Sequence, residues 1–239
     1  MVAVTDQSYY QPGDQEVVGT LISTDDFSAH FVGLDRPTSL SSRARRGRWK
    51  KFAATFPDIT EWRILDLGGT PDYWMSAPEM PRHVTVVNLV RFEERSEAVT
   101  SVLGDACDPP GDVLAQDYDL VYSNSLIEHV GGHAQRARLA EVIRKSASRH
   151  WVQTPYRYFP IEPHWLAPGI QFLPFEARVR ATMLWKPGYM HTKDRQTAIV
   201  RVNEVELLGL TQMDCYFPDS HIWTERYAGL IKSMVAIQG

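Results

Sequence analysis

Between residues 62 and 154 short apolar runs alternate with gaps long enough to hold a helix: WRILDL (62–67), HVTVVNL (83–89), VTSVLG (99–104), YDLVYS (118–123) and HWVQT (150–154). The runs are rich in Val, Ile, Leu and aromatic residues, which suit a pleated, buried surface. Between the last two, QRARLAEVIRKSA (135–147) places its apolar residues at helical spacing. Strands separated by helix-length connections predict a mostly parallel, doubly wound sheet covered on both faces.

After residue 154 the rhythm breaks. Six prolines fall between 155 and 187, with one helical pattern at FEARVRATMLW (175–185). Long connections inside compact domains are usually functional covers, so 155–200 is read as an insertion that shapes a substrate pocket. The alternation resumes with a short helix at RVNEVELLGL (201–210), a strand near TQMDCYF (211–217) and a closing strand LIKSMVAI (230–237). Upstream, residues 1–42 show no sustained period and are read as an irregular arm. The basic stretch RARRGRWKKFAATF (43–56) is partly helical in pattern and stops at Pro57. It is either a phosphate-binding patch or a solvated helix face beside the ligand site. The organisation expected is one domain: arm and helix (1–61), core (62–154), insertion (155–200), and a closing helix with a strand pair (201–239).

Composition narrows the classes. The length of 239 residues fits one sizeable core, and a formal charge of −4 gives no global case for a nucleic acid partner or an anionic membrane. Cys107 and Cys215 have neither CxxC spacing nor enough partners for a disulfide framework, which suits a reducing, cytoplasmic setting. The first 20 residues lack a basic start followed by an apolar core. No run approaches the roughly 18 consecutive apolar residues of a membrane span. Neither secretion nor a membrane location is expected.

In an open parallel sheet, ligands bind beyond the carboxyl ends of the strands, so the residues just past each strand are the candidates. They are Asp66, Gly68 and Gly69 after the first; Asn88 after the second; Gly104, Asp105 and Ala106 after the third; and Ser123, Asn124, Glu128 and His129 after the fourth. The first end reads DLGGTPDYW (66–74), where Thr70 stands in place of a third glycine and Pro71 follows. A nicotinamide dehydrogenase would want GxGxxG opening a helix and an acidic residue about 20 positions on. Here the third glycine is missing and the strand-end residue is neutral.

The four strand ends together resemble class I S-adenosylmethionine-dependent methyltransferases, over roughly residues 62–154 and the final strand pair. The resemblance implies a Rossmann-like α/β fold: a seven-stranded, mostly parallel sheet with helices on both faces, an antiparallel last strand, and an insertion between strands 5 and 6. It also implies roles. ILDLGG would bring Asp66, Leu67, Gly68 and Gly69 to the methionine part of the cofactor. Asn88 sits where a carboxylate usually holds the ribose hydroxyls; its carbonyl could accept from one hydroxyl and its amide donate to the other. Asp105 and Ala106 would recognise adenine. Ser123 and Asn124 would line the turn that carries His129 into the active-site mouth. Asp72 and Tyr73, with Trp74, are a candidate aromatic lip shared by cofactor and acceptor.

A hydroxyl acceptor must lose a proton, and histidine, near about 6.5 when unperturbed, is the natural base. His129, beside Glu128, and His164, two residues after Glu162, are the candidates; the alternatives are a helix-start residue that orients the loop for His129 and a packed polar group for His164. PYRYFPIEPHW (155–165) crowds Tyr156, Tyr158 and Trp165 where the chain must cross the site. Such aromatic faces suit a sugar ring, or form an aromatic mini-core under the insertion. This stretch and the ERYAGLIKSMVAI ending are similar to bacterial methyltransferases found with glycan biosynthesis. The activity implied is O-methylation of a sugar or small glycan in polysaccharide biosynthesis, with S-adenosylmethionine as cofactor, a small-molecule or oligosaccharide acceptor, and a homodimer as one candidate state. Some sugar O-methyltransferases use Mg²⁺, for which Glu128, His129, Glu162 and His164 are candidate ligands. An N- or carboxyl-methyltransferase and a non-catalytic cofactor-binding protein remain alternatives.

Overall fold

The computed structural model describes residues 40–93 and 96–239, with side chains from residue 45 onward. The expected arm lies outside the described residues up to position 39. The basic stretch is a helix, α1 (Leu40–Thr55). Its apolar residues Phe52 and, just past its end, Phe56 are both buried.

Strands β1 (Arg63–Leu67), β2 (His83–Asn88), β3 (Val99–Leu103), β4 (Leu120–Asn124) and β5 (His150–Pro155) follow the predicted runs closely. Short helices α2 (Pro71–Met75) and α3 (Gly111–Leu114) and the long α4 (His133–Ser146) connect them. The insertion contributes a two-stranded hairpin, β6 (Ile161–Glu162) with β7 (Ala167–Pro168), then α5 (Phe175–Leu184) and α6 (Arg195–Asn203). Helix α7 (Leu210–Tyr216) and strands β8 (His221–Tyr227) and β9 (Leu230–Gln238) close the chain.

The seven-stranded sheet has the order β3-β2-β1-β4-β5-β9-β8. β1 pairs in parallel with both β2 and β4, and β9 runs antiparallel between β5 and β8. The chain moves outward from β1 to β3 and then crosses back to β4. The switch point, and with it the ligand crevice, therefore lies beyond the carboxyl ends of β1 and β4.

Strand alternation sorts the core into two layers. Leu65, Leu67, Val121 and Val152 pack with Leu139, Ile143 and Met213 of α4 and α7 on one face. Ile64, Val84, Val86, Tyr122 and Trp151 pack with Phe52, Phe56 and Trp74 on the other. Trp151, 1% exposed, has its ring 5.2 Å from Phe52 and 6.2 Å from Trp223. Trp151→Ala is expected to cost about 3–5 kcal/mol of stability, read as a lower urea midpoint with an unchanged slope.

Two expectations about the closing segment are overturned. Residues 211–216 lie in helix α7, not a strand, with Phe217 just past its end: the buried Met213, Tyr216 and Phe217 recur at spacings of three and four, and the Gln212 side chain accepts from the Gly209 amide at 2.9 Å. The sixth strand of the sheet lies further on, at β8. The helix expected over 201–210 is the last part of α6 followed by non-helical chain, in which Val205, Leu207 and Leu208 are buried. No helix among the described residues is long and apolar enough to cross a membrane.

Candidate functional site

The turn after β1 is built for close approach. Gly68 has φ +83°, and a Cβ there would lie 2.6 Å from Leu126 Cδ1. A Cβ on Gly69 would lie 1.7 Å from Asp66 Oδ2. Thr70 has an extended backbone (φ −132°, ψ 148°) and precedes α2 with Pro71 in its first turn. A third glycine is therefore not required, because the left-handed conformation falls on Gly68 and Pro71 suits a helix start.

Asp66 lies beneath this turn. Its Oδ2 accepts from the Trp74 indole N–H at 2.7 Å, and its Oδ1 is buried without a partner. Burial raises its pKa from 3.8 to about 7, against the pull of the Trp74 hydrogen bond. Between about pH 4 and pH 7 the folded protein then holds a proton that the unfolded chain has lost. The contribution of Asp66 to stability is thus greatest below pH 4 and declines as the pH rises through that window. Asp66→Asn should flatten this decline, measured by urea denaturation at pH 4.5 and 7.5.

Asn88 has a different task from the one expected. Its amide donates to the carbonyls of Gly68 (3.3 Å) and Gly69 (2.9 Å), and its Oδ1 accepts from the Val90 amide (3.2 Å). Both donors are spent bracing the glycine turn, so donation to a ribose hydroxyl is not available. A carboxylate could not make these bonds and would repel both carbonyls. Ser123, 0% exposed, is likewise structural: its hydroxyl donates to the Leu67 carbonyl, tying β4 to β1. The Leu67 side chain is in the core, leaving its backbone alone for ligand contact. Asp105 is exposed and Ala106 buried past β3, where Asp105 Oδ1 accepts from the Cys107 amide. Asn124 is half-buried, its Oδ1 3.5 Å from Arg48 of α1. Arg45, Arg48, Tyr73, Tyr122 and Asn124 share a small cleft there. The Tyr73 ring stacks on Tyr122, with the hydroxyls 2.5 Å apart.

A second constellation joins the ends of β4 and β5 to the insertion. After β4, buried Ile127 anchors a turn that presents Glu128 and His129. Thr154 of β5 donates its hydroxyl to Glu128 Oε2 at 2.9 Å, while Glu128 Oε1 is buried and unpartnered. From the insertion, Glu162 Oε2 accepts from the backbone amides of His164 (2.7 Å) and Trp165 (2.8 Å), and Oε1 from His164 Nδ1 (2.6 Å). The Nε2 atoms of His164 and His129 face one another at 3.2 Å. His129 Nδ1 donates to the Glu204 carbonyl at 3.2 Å. The segment carrying Glu204 is itself fixed, since the Glu206 amide donates to the Glu128 carbonyl and Glu206 pairs with buried Arg136 at 2.8 Å.

Charge follows from this wiring. Burial opposes a charge on His164, but its hydrogen bond to Glu162 and the charges of Glu162 and Glu128 prevail and raise its pKa. Burial and the charge of His164 push His129 down to about 3. Burial raises Glu128, with His164 pulling it back. Both Nδ1 atoms act as donors, so two neutral imidazoles would turn two lone pairs on each other. The pair is satisfied only by a positive charge between the rings, and is suited to take up a proton.

The expected acid–base residues Glu128, His129, Glu162 and His164 therefore meet in one cluster. Tyr158, exposed and stacked on Phe172, and Tyr156, 5.5 Å from it, line the exit of β5. Trp165 does not join them. It is 3% exposed in the separate core of the insertion, with its indole N–H given to Thr182. Sequence reasoning missed Thr154, although it ends the fifth strand, and the backbone carbonyl of Glu204, which no side-chain pattern could reveal.

No family model and no curated protein matches the chain. Solved structures do. An S-adenosylmethionine-dependent methyltransferase from Anabaena variabilis aligns with TM-score 0.53 at 12% identity, covering 90% of this chain and 92% of the other. The 1,6-didemethyltoxoflavin-N1-methyltransferase of Burkholderia thailandensis, solved with S-adenosylhomocysteine, aligns with TM-score 0.51 at 15% identity, covering 98% and 93%. A Rhodobacter sphaeroides chain named as a candidate zinc-dependent alcohol dehydrogenase aligns with TM-score 0.55 at 13% identity, covering 90% and 98%. The chain has the Rossmann-like fold of the S-adenosylmethionine-dependent methyltransferases. At these identities the likeness is one of fold, and function must be argued from the site.

Proposed function

We propose that this protein transfers the methyl group of S-adenosylmethionine to a hydroxyl of a sugar or small glycan, in the cytoplasm. The observation that carries the reading is the Glu128–His129–His164–Glu162 cluster, buried but for the half-buried His129, set on the same edge of the sheet as an intact glycine turn. In the transfer the acceptor oxygen attacks the methyl carbon, the carbon–sulfur bond breaks with its electron pair kept by sulfur, and the hydroxyl proton leaves toward the cluster. An amine or carboxylate acceptor has less need of such a centre. Tyr156 and Tyr158 offer apolar faces for a sugar ring. The finer resemblance is to the mycobacterial sugar 1-O-methyltransferase of methylmannose polysaccharide synthesis, which puts partly methylated mannosides among the acceptors to try.

The test is S-adenosylhomocysteine release on mono- and oligosaccharides, free and partly methylated, between pH 5 and 9. Release that depends on a free hydroxyl and rises with pH through the histidine range is expected. A flat profile would favour amine or carboxylate acceptors. Tight S-adenosylmethionine binding without product from any hydroxylated compound would favour a non-catalytic binder. Absence of cofactor binding by calorimetry would overturn all three.

A further inference from the structure

The cluster contains more unmet ligand capacity than a proton relay needs. One donor atom each from Glu128, His129 and His164 lie within 4.8 Å of one another. The two Nε2 atoms are 3.2 Å apart, close to the roughly 3.4 Å edge of a tetrahedron with metal–nitrogen bonds of about 2.0–2.1 Å. Each imidazole already gives its Nδ1 proton away, His129 to a carbonyl and His164 to a carboxylate. This is the outer arrangement that orients metal-binding histidines and turns the Nε2 lone pair inward. Independently, Glu128 is 1% exposed, and its Oε1 has no hydrogen-bond partner although Oε2 has Thr154. A buried carboxylate oxygen without a partner is costly unless a cation or donor comes to it.

We propose that Glu128, His129 and His164 form a binding site for one divalent transition-metal ion of the zinc, cobalt, iron(II) or manganese class, with Glu162 and the Glu204 carbonyl orienting the two imidazoles. Two nitrogen donors and one carboxylate make the set that these borderline ions favour, and three protein ligands leave a position for an oxygen ligand. Mg²⁺, the ion expected from the sequence, takes oxygen donors in a near-octahedral shell and is poorly served by two imidazoles. Glu162 does not join as a ligand, because both of its oxygens are engaged by His164 and Trp165. The ion supplies the positive charge that the facing lone pairs require. An oxygen ligand on it becomes more acidic. That this ligand is the acceptor hydroxyl rests on the O-methyltransferase reading, and with the ion on both Nε2 atoms the proton passes to solvent in place of the histidine pair; the site itself does not depend on that reading.

The experiment titrates the full-length, chelator-treated protein with Co²⁺, followed by its visible absorption bands, and with Zn²⁺, Mn²⁺ and Mg²⁺ by calorimetry. A cooperative thermal melt serves as the folding control. One equivalent of Co²⁺ should give the intense bands of four- or five-coordination, with Zn²⁺ bound at least about 100-fold more tightly than Mg²⁺. Glu128→Gln and His164→Ala should each weaken Zn²⁺ by about 100-fold or more. Glu162→Gln should weaken it by about 10- to 100-fold, by releasing the His164 ring. His221→Ala, at an exposed position on β8, should change nothing. The proposal is overturned if folded wild-type protein takes up neither Co²⁺ nor Zn²⁺ stoichiometrically, whether or not it binds S-adenosylhomocysteine. It is equally overturned if Glu128→Gln and His164→Ala bind as wild type does. Hydroxyl-dependent turnover without metal binding would remove the metal site and leave the methyltransferase reading standing; metal binding without turnover on any acceptor would do the reverse.

Discussion

His164→Gln should lower methyl transfer to a hydroxyl acceptor by about 10²- to 10⁴-fold while leaving the affinity for S-adenosylhomocysteine within about threefold. The split follows from placement. His164 belongs to the insertion and meets His129 and Glu162, whereas the glycine turn is braced by Asn88. Glutamine fills similar space but offers no basic ring nitrogen, whether to take up a proton near neutral pH or to hold a metal ion. His129→Ala should fall by a comparable factor, since removing either ring destroys the facing pair. Glu162→Gln tests the electrostatics more finely. The hydrogen bond and charge of Glu162 raise His164, so their loss lowers its pKa, and any limb of the pH–rate profile due to His164 should move to lower pH. Single-turnover kinetics alongside calorimetry separate the two effects. If His129→Ala and His164→Ala both retained near-normal turnover, the activating role of the cluster would fail.

Gly69→Ala should abolish cofactor binding at concentrations up to about 100 times the wild-type Kd and also destabilise the fold. A Cβ at 1.7 Å from Asp66 Oδ2 and 2.4 Å from Asp66 Cγ cannot be accommodated without moving a carboxyl held by Trp74. Overpacking a buried site costs about 1–3 kcal/mol even where neighbours yield. Here the yielding atoms belong to the cradle, since Asn88 grips the Gly68 and Gly69 carbonyls. Gly47→Ala is the contrasting control. It lies within α1, its Cβ would meet nothing within 4 Å, and helix propensity favours alanine by about 0.8–1.0 kcal/mol. Thermal melts of the two variants should therefore move in opposite directions. Cofactor affinity within threefold of wild type in Gly69→Ala would remove the turn from the binding site.

Much of the frame is legible in the sequence because it is recorded locally. Ile64, Leu65 and Leu67 are apolar because β1 is covered on both faces, and such runs announce themselves whatever lies around them. The closing segment shows where that limit falls. TQMDCYF reads as a strand by its aromatic and apolar content, yet Met213 and Tyr216 share one stripe of a helix whose start is set by Gln212 reaching back to Gly209, and Phe217 follows its end. Trp165 looks like a sugar platform beside Tyr156 and Tyr158, but a hydroxyl from α5 turns it inward. Asn88 looks like a weakened ribose contact until its amide is seen on two carbonyls that lie 19 and 20 residues away.

The strand and helix alternation, the glycine turn at the end of β1 and the residue types that cluster at the site are written in the order of the residues. Periodicity, turn chemistry and titratable side chains are properties of neighbouring residues. It takes the folded chain to turn the Nε2 atoms of His129 and His164, 35 residues apart, to one another and to leave one carboxylate oxygen of Glu128 without a partner. Those facts depend on the return path of the insertion, on a backbone carbonyl from Glu204 and on the burial that makes an unmet lone pair costly. None of these is recorded in the order of nearby residues, because each arises from distant parts of the chain packed together and withdrawn from water.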